Sequence, residues 1–541
     1  MAYFCIFTAI SQTFTIKDSL RGNLTELRMC YDVTFYDLFV TVDDNKFSLE
    51  RSYNIIHFNV ISDFNKMQVD LSSNMEIESI QFENINLKFY RLFDAVFIDF
   101  SRVLKKGEQA SIKILYRGVP KKAKNPPWDG GFSWEKDNNG IPFIGVSCQG
   151  LGASSWWPCK DHQSDEPDSM RITCVVRSPL KIIANGNLRR DTLVWNQYFN
   201  ALANEREWFV NYPINNYGVS INIGNYIHFM DLYISQKDTL KMDYYVLDYN
   251  LEKAKSHFQQ VTSMMSCFEN YFGKYPFWDD GYALVETSYL GMEHQSAIAY
   301  GNNFLEGYYG NTSFIDGLKF DYIIVHETGH EWWGYSITTN DIADMWVHEG
   351  FCTYSEVLYV ECMYGYDAML SYVNNQKRRV SNKSPIVGPY HVNAKGDSDM
   401  YFKGSLMLHT LRNLIANDKL WFKIIRGIST DFKHKTIDGQ DIINYFNKMT
   451  GFDFTLFFKQ YLQNKEIPEF QYNLSKESDK FILKYRWNAI SGFDMPVLIT
   501  LAKKDLWIYP NNKWKEINLS ISSTSDLRIR DDLLFIDVKK Q

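Results

Sequence analysis

Two histidines four residues apart, with a glutamate beside the first, stand in the stretch VHETGHEWWG at 325–334. On a helix, positions i and i+4 share one face a turn apart, so His326 and His330 can offer their imidazoles to a single ion. Glu327 then places a carboxylate next to that ion, the pattern in which two imidazoles bind zinc and the glutamate acts as a base. Chance alone produces these five residues in roughly one chain of this length in a hundred, so other residues must strengthen the case. A catalytic zinc takes three protein ligands and keeps a fourth position for water. Glu349 follows His330 after eighteen intervening residues, inside DMWVHEGFCTYSE near the start of the next helical pattern. A helix that turns back there brings its carboxylate to the ion. His348 is adjacent, but neighbours on a helix point apart, and it is read as a pocket residue behind the ligands.

H-E-x-x-H, eighteen residues, then E within W-x-H-E-G resembles the gluzincin zinc aminopeptidases of the aminopeptidase N and leukotriene hydrolase type. Three further stretches resemble that family in the same chain order. YLGMEHQSAIAYG is similar to its G-x-M-E-N motif, which implies a substrate-binding role for Gly291, Met292 and Glu293, with Glu293 holding the free α-ammonium. The physics suits that role, because a buried carboxylate is costly unless a cation meets it. His294 stands where the family has asparagine. MYFKGSLML resembles the segment of the catalytic tyrosine and implies that Tyr401 donates to the oxyanion, as a neutral phenol can. SCQGLGASSWWPCKDHQSDEP resembles a loop of the first domain and implies that Gln149 helps to bind the amine, with Pro158 and Asp161 structural and Trp156 and Trp157 packed.

The resemblance thus implies one Zn2+ per chain on His326, His330 and Glu349, and peptides with a free N-terminus as substrates. It implies hydrolysis with Glu327 as general base and Tyr401 stabilising the oxyanion. Three other readings share the zinc ligands. An epoxide hydrolase would use the same ion, a non-catalytic scaffold would not retain all these groups, and a thermolysin-like endopeptidase would have no need of Glu293.

These side chains must be positioned by elements legible in the periodicity. From about residue 32 to 240, short alternating runs such as YDVTFYDLFVTVD predict antiparallel strands in a β-sandwich or saddle-like sheet domain. Near 251 the period changes. A helical pattern closes on Gly273 and Pro276, and more follow at 316–333, 345–363, 367–380, 402–416 and 438–448, with a strand-like YALVETSY between. After Pro468, FILKYRW, MPVLITL, DLWIY and LLFIDV predict a small β-domain. The fold class is a multidomain α+β chain, divided at 16–243, 244–466 and 467–541. The resemblance implies that the middle, mainly α domain is thermolysin-like, and that the helical C-terminal domain of larger members is missing.

A formal net charge of -7 argues against a nucleic-acid partner, which leaves a basic face. No apolar run reaches the ~18 residues of a spanning helix. Residues 1–15, MAYFCIFTAISQTFT, read as a signal-like segment without a basic start, or as a buried first strand. Export to the periplasm or outside is expected, with the cytoplasm as the alternative. Eight scattered cysteines form no dense framework and do not settle the compartment. Neither the preferred N-terminal residue nor the oligomeric state is legible.

Overall fold

The strand Tyr31–Asp43 buries Tyr36, Leu38, Val40 and Val42 on alternate positions, as a half-buried pleat requires. The computed structural model describes residues 14–235, 238–477 and 480–541. In it, Tyr31–Asp43 pairs antiparallel with Ser48–Val60 and parallel with Ser169–Arg177, at the centre of an eight-stranded sheet. A four-stranded sheet (Lys181–Ala184, Ile221–Gly224, Pro142–Ser147, Gly131–Lys136) and a three-stranded one (Phe64–Asp70, Ala95–Leu104, Lys88–Leu92) share the core of this β-rich N-terminal region. Pro142–Ser147 matters for the site, because the chain leaving it carries Gln149. Of the signal-like segment, residues 1–13 lie outside the described residues, and Thr15 caps a short helix, Ile16–Gly22.

A five-stranded sheet joins this region to the helices, in the order Tyr226–Ser235, Asp238–Leu247, Tyr282–Glu286, Ile298–Tyr300, Gly291–Met292. The boundary read at 243/244 falls inside its second strand. The two-residue strand Gly291–Met292 is an edge, paired only with Tyr300 and Ala299. One hydrophobic core runs from this sheet through the helices to the C-terminal strands.

The helical patterns appear with shifts that have local causes. The stretch after 251 forms two helices, Leu251–His257 and Gln260–Phe272. The pattern at 316–333 yields only Tyr322–Gly329, because Asp316 adopts a left-handed φ of 57° and ends a 3-10 turn there. Trp346–Tyr364, Tyr366–Gln376, Phe402–Ile415 and Gly439–Thr450 form close to the expected positions. Asp418–Asp431 and Thr455–Gln463 are additional helices.

C-terminal strands form a four-stranded and a three-stranded sheet. LLFIDV departs from expectation, since the strand begins only at Asp537. Before it, the Phe535 N–H donates to Thr410 Oγ1 at 2.8 Å and the chain turns against the helix Phe402–Ile415. A disulfide, Cys267–Cys362, ties the helix Gln260–Phe272 to the last turns of Trp346–Tyr364. Among the described residues, no helix is long and apolar enough to cross a membrane.

Candidate metal and peptide site

Asp321 sets the start of the histidine helix. Its carboxylate accepts from the backbone N–H groups of Ile323 (2.9 Å) and Ile324 (3.3 Å), two donors that have no partner in a first helical turn. The same carboxylate accepts from Tyr300 Oη at 2.7 Å and Asn302 Nδ2 at 2.9 Å, which ties the helix to the sheet. His326 lies inside the helix and His330 at its C-cap, with φ -64° and ψ -21°. The rings stand nearly perpendicular, 5.0 Å between centroids.

Each imidazole is oriented from behind. His326 Nδ1 donates to Glu356 Oε1 at 2.6 Å, and Glu356 Oε2 in turn accepts from Tyr372 Oη at 2.6 Å. His330 Nδ1 donates to the Trp333 carbonyl at 3.0 Å. Both Nε2 atoms then face Glu349, whose Oε2 lies 3.8 Å from that of His326 and 3.4 Å from that of His330. A tetrahedral ion with bonds of about 2.0–2.1 Å has ligand–ligand edges of about 3.3 Å, close to this spacing. Glu349 Oε2 is buried without a hydrogen-bond partner. Two imidazoles with free Nε2 atoms and one orphaned carboxylate oxygen are a donor set that fits zinc. Cys352 also has its Sγ within 4.8 Å of ligand atoms of both histidines, but its thiol donates to the His326 carbonyl at 2.8 Å and so serves the helix backbone.

Gly350 and Gly404 allow two helices to cross closely, since a Cβ on Gly404 would stand 2.9 Å from the Gly350 Cα. This crossing brings Tyr401, at the head of Phe402–Ile415, over the ligands. Its hydroxyl donates to Glu349 Oε1 at 2.9 Å, and its ring stacks on His326 with 6.0 Å between centroids. Burial and the Glu349 charge hold the phenol well above its ordinary range, so it stays protonated.

From the β-rich region comes Gln149, whose Nε2 donates to Glu293 Oε1 at 2.6 Å and lies 3.5 Å from Glu349 Oε1. Three carboxyls thus share one site in different states. Burial pushes Glu327 up to about 7, and it raises Glu293 against the opposing influence of His330. For Glu349 burial also acts upward, but His330 and His326 outweigh it and hold the group at about 2.

Gln149, Gly291, Met292, Glu293, His326, Glu327, His330, Glu349 and Tyr401, all singled out in the sequence, line one cleft of about 390 Å³. His348 does not; its Nε2 accepts the Thr339 N–H at 3.0 Å, and burial pushes its pKa down to about 3. His294 is buried outside the cleft with neither ring nitrogen paired. Trp156 and Trp157 are fully buried, and Asp161 accepts from Ser154 Oγ at 2.5 Å. Sequence reading missed Glu356, although its seven-residue spacing from Glu349 puts both on one helix face. It also missed the wall made by Trp128, Tyr308, Phe314, Lys395 and Phe402.

Residues 256–461 match the Peptidase family M1 domain. Mouse endoplasmic reticulum aminopeptidase 1 is 23% identical over 222 residues, covering 38% of this chain and 24% of that protein. Aminopeptidase N of Lactococcus lactis subsp. lactis is 24% identical over 216 residues, 37% of this chain and 25% of that one. The matched part therefore spans about a quarter of the length of these curated relatives. A two-domain M1 zinc metallopeptidase mutant bound to L-tryptophan has the same fold with a TM-score of 0.69 at 18% identity, covering 84% of this chain and 99% of that one. A Deinococcus radiodurans M1 zinc metallopeptidase mutant bound to a Tyr-Ser-Ala substrate gives a TM-score of 0.67 at 18% identity, with 84% and 98% covered. The domain match, the shared fold and the two-histidine, one-glutamate donor set on adjoining helices agree in making residues 256–461 of this chain similar to the Peptidase family M1 domain.

Proposed function

We propose that this chain is a zinc-dependent aminopeptidase that removes residues one at a time from the free N-terminus of peptides. Glu293 is the observation that carries the reading. Its carboxylate is 3% exposed, is held by Gln149 beside the metal-ligand set, and has no lysine or arginine of the described residues as an ion partner. A peptide's α-ammonium supplies the missing cation and fixes the first peptide bond over the ligands.

His326, His330 and Glu349 would hold one zinc ion per chain. When bound, zinc acts as a Lewis acid toward the scissile carbonyl and makes water more acidic. Glu327 accepts the proton of the attacking water on a carboxylate oxygen and delivers it to the leaving nitrogen. A carboxyl held near 7 by burial suits both halves of that transfer. The Tyr401 hydroxyl turns from Glu349 Oε1 to the developing oxyanion and donates to it. Gly291–Met292, an edge strand on the cleft, lies where an extended substrate can align with it.

Mass spectrometry of one short peptide and its N-acetylated form, each incubated with the zinc-loaded protein, tests the reading. Stepwise shortening of the free peptide alone is the expected result. Cleavage of both would remove Glu293 from its role, and cleavage of neither would overturn the proposal. We propose in addition that the chain works in an oxidising compartment, a reading supported by the Cys267–Cys362 bridge. Protein taken from its native host should gain two alkylatable thiols on reduction, and no gain would refute the placement.

A further inference from the structure

The cleft with the acidic floor is lined, among the described residues, by one basic residue. Lys395 lines the same cavity as Gln149, Glu293 and Tyr401, and among the described residues no other lysine or arginine does. The acids closest to it in sequence are engaged elsewhere. Asp397 accepts from Ser384 Oγ at 2.6 Å and from the Asp399 N–H at 3.0 Å, and Asp399 accepts from the Ser381 N–H at 2.8 Å. Among the described residues, no carboxylate of the protein forms an ion pair with the Lys395 ammonium.

Its backbone is held on both sides. The His391 N–H donates to Asp341 Oδ2 at 2.9 Å, and the Asp397 N–H donates to the Pro385 carbonyl at 3.0 Å. Gly396 packs so tightly on Ile386 that a Cβ would stand 1.9 Å from its carbonyl oxygen. Asn393 Nδ2 donates at 3.2 Å to the carbonyl of Gly150, the residue after Gln149. The loop that carries Lys395 is therefore docked on the loop that carries the amine-gripping glutamine. In an amino acid the ammonium and the side chain leave the same Cα, so the first side chain of the substrate can reach a cation on that side of the cleft. Behind two other cleft-lining rings, the Arg379 guanidinium stacks on Phe314 at 3.6 Å and lies 5.1 Å from Phe402, which adds positive potential there.

We propose that Lys395 is a specificity-determining residue that selects peptides whose first residue carries a carboxylate, aspartate or glutamate. This inference rests on the aminopeptidase reading. The first residue would be gripped twice, its ammonium by Glu293 and Gln149 and its side-chain carboxylate by Lys395. Because Lys395 lies on the exposed rim, water screens the contact, and the preference should be moderate.

The test compares fluorogenic amides of Glu, Gln and Lys with the zinc-loaded full chain, read as ratios of kcat/KM. Wild type should favour Glu over Gln by about two- to fivefold, as for a solvent-exposed ion pair. Lys395→Met should bring that ratio to about one, and Lys395→Glu should shift preference from Glu toward Lys. Each ratio is internal to a variant, so a general loss of activity does not enter it. A second arm compares dipeptides with a neutral first residue as free acids and as C-terminal amides. If Lys395→Met removes a preference for the free acid while leaving the Glu to Gln ratio intact, Lys395 serves the far end of the substrate and the proposal falls. Ratios unchanged in both arms would overturn it while leaving the aminopeptidase reading in place. Hydrolysis of none of these substrates by wild type would overturn both.

Discussion

On the floor of the cleft, His326 is held from behind by Glu356 and His330 by the Trp333 carbonyl, while Tyr401 holds one oxygen of Glu349. On the rim, Trp128 is 61% exposed and Lys395 stands free of any ion pair among the described residues. The two regions meet across the same cavity yet differ in what surrounds each polar atom. Floor groups are buried, so each charge acts with little screening and an error in one orientation reaches the reacting atoms. Rim groups are bathed in water, which weakens each contact but lets the wall change without disturbing the chemistry. On the proposed reading, bond breaking depends on the floor, and the choice of the first side chain on the rim.

The comparison can be broken most sharply at Glu327. Glu327→Gln should keep its zinc, measured by atomic absorption, and lose about 10²–10⁴-fold in kcat. Near-normal turnover would remove the base from the floor. Tyr401→Phe should cost about 10²–10³-fold, chiefly in kcat, and an effect confined to KM would move the tyrosine to the binding wall. Glu356→Gln touches no substrate, so its effect should be on the ion. Competition with a chelator should show zinc held about 10–100-fold more weakly, and unchanged affinity would mean that His326 needs no support from behind. The smallest effect is expected from the rim. Trp128→Ala should change KM only a few-fold and leave kcat in place, as for a solvated side chain that adds contact area. A kcat loss comparable to that of Tyr401→Phe would erase the division between floor and rim.

Several elements were legible because their signals are local. Tyr36, Leu38, Val40 and Val42 alternate as a strand must, and Trp346–Tyr364 forms where its helical period predicts. The helix Asp418–Asp431 was legible too, since Trp421, Ile424, Ile425 and Ile428 follow i, i+3, i+4, i+7 and are buried, but it was passed over. Where expectation failed, a tertiary contact had won. The apolar run LLFIDV turns at Phe535 to bond Thr410, and the pattern at 316–333 breaks because Asp316 goes left-handed and Asp321 caps a new start.

By itself, the sequence determined the relation between His326, Glu327 and His330, because a helix of 3.6 residues per turn puts the fourth residue back on the first one's face. The same period placed Glu349 and Glu356 on one side of a single helix. Only the tertiary structure decided that Gln149 meets Glu293 across 144 residues, that Tyr401 meets Glu349 across 52, and that Lys395 lines the same cleft from a loop docked on Gly150. Backbone geometry transmits position over a turn or two and no further. Beyond that, which side chains meet is decided by how sheets and helices pack, and no periodicity along the chain records it.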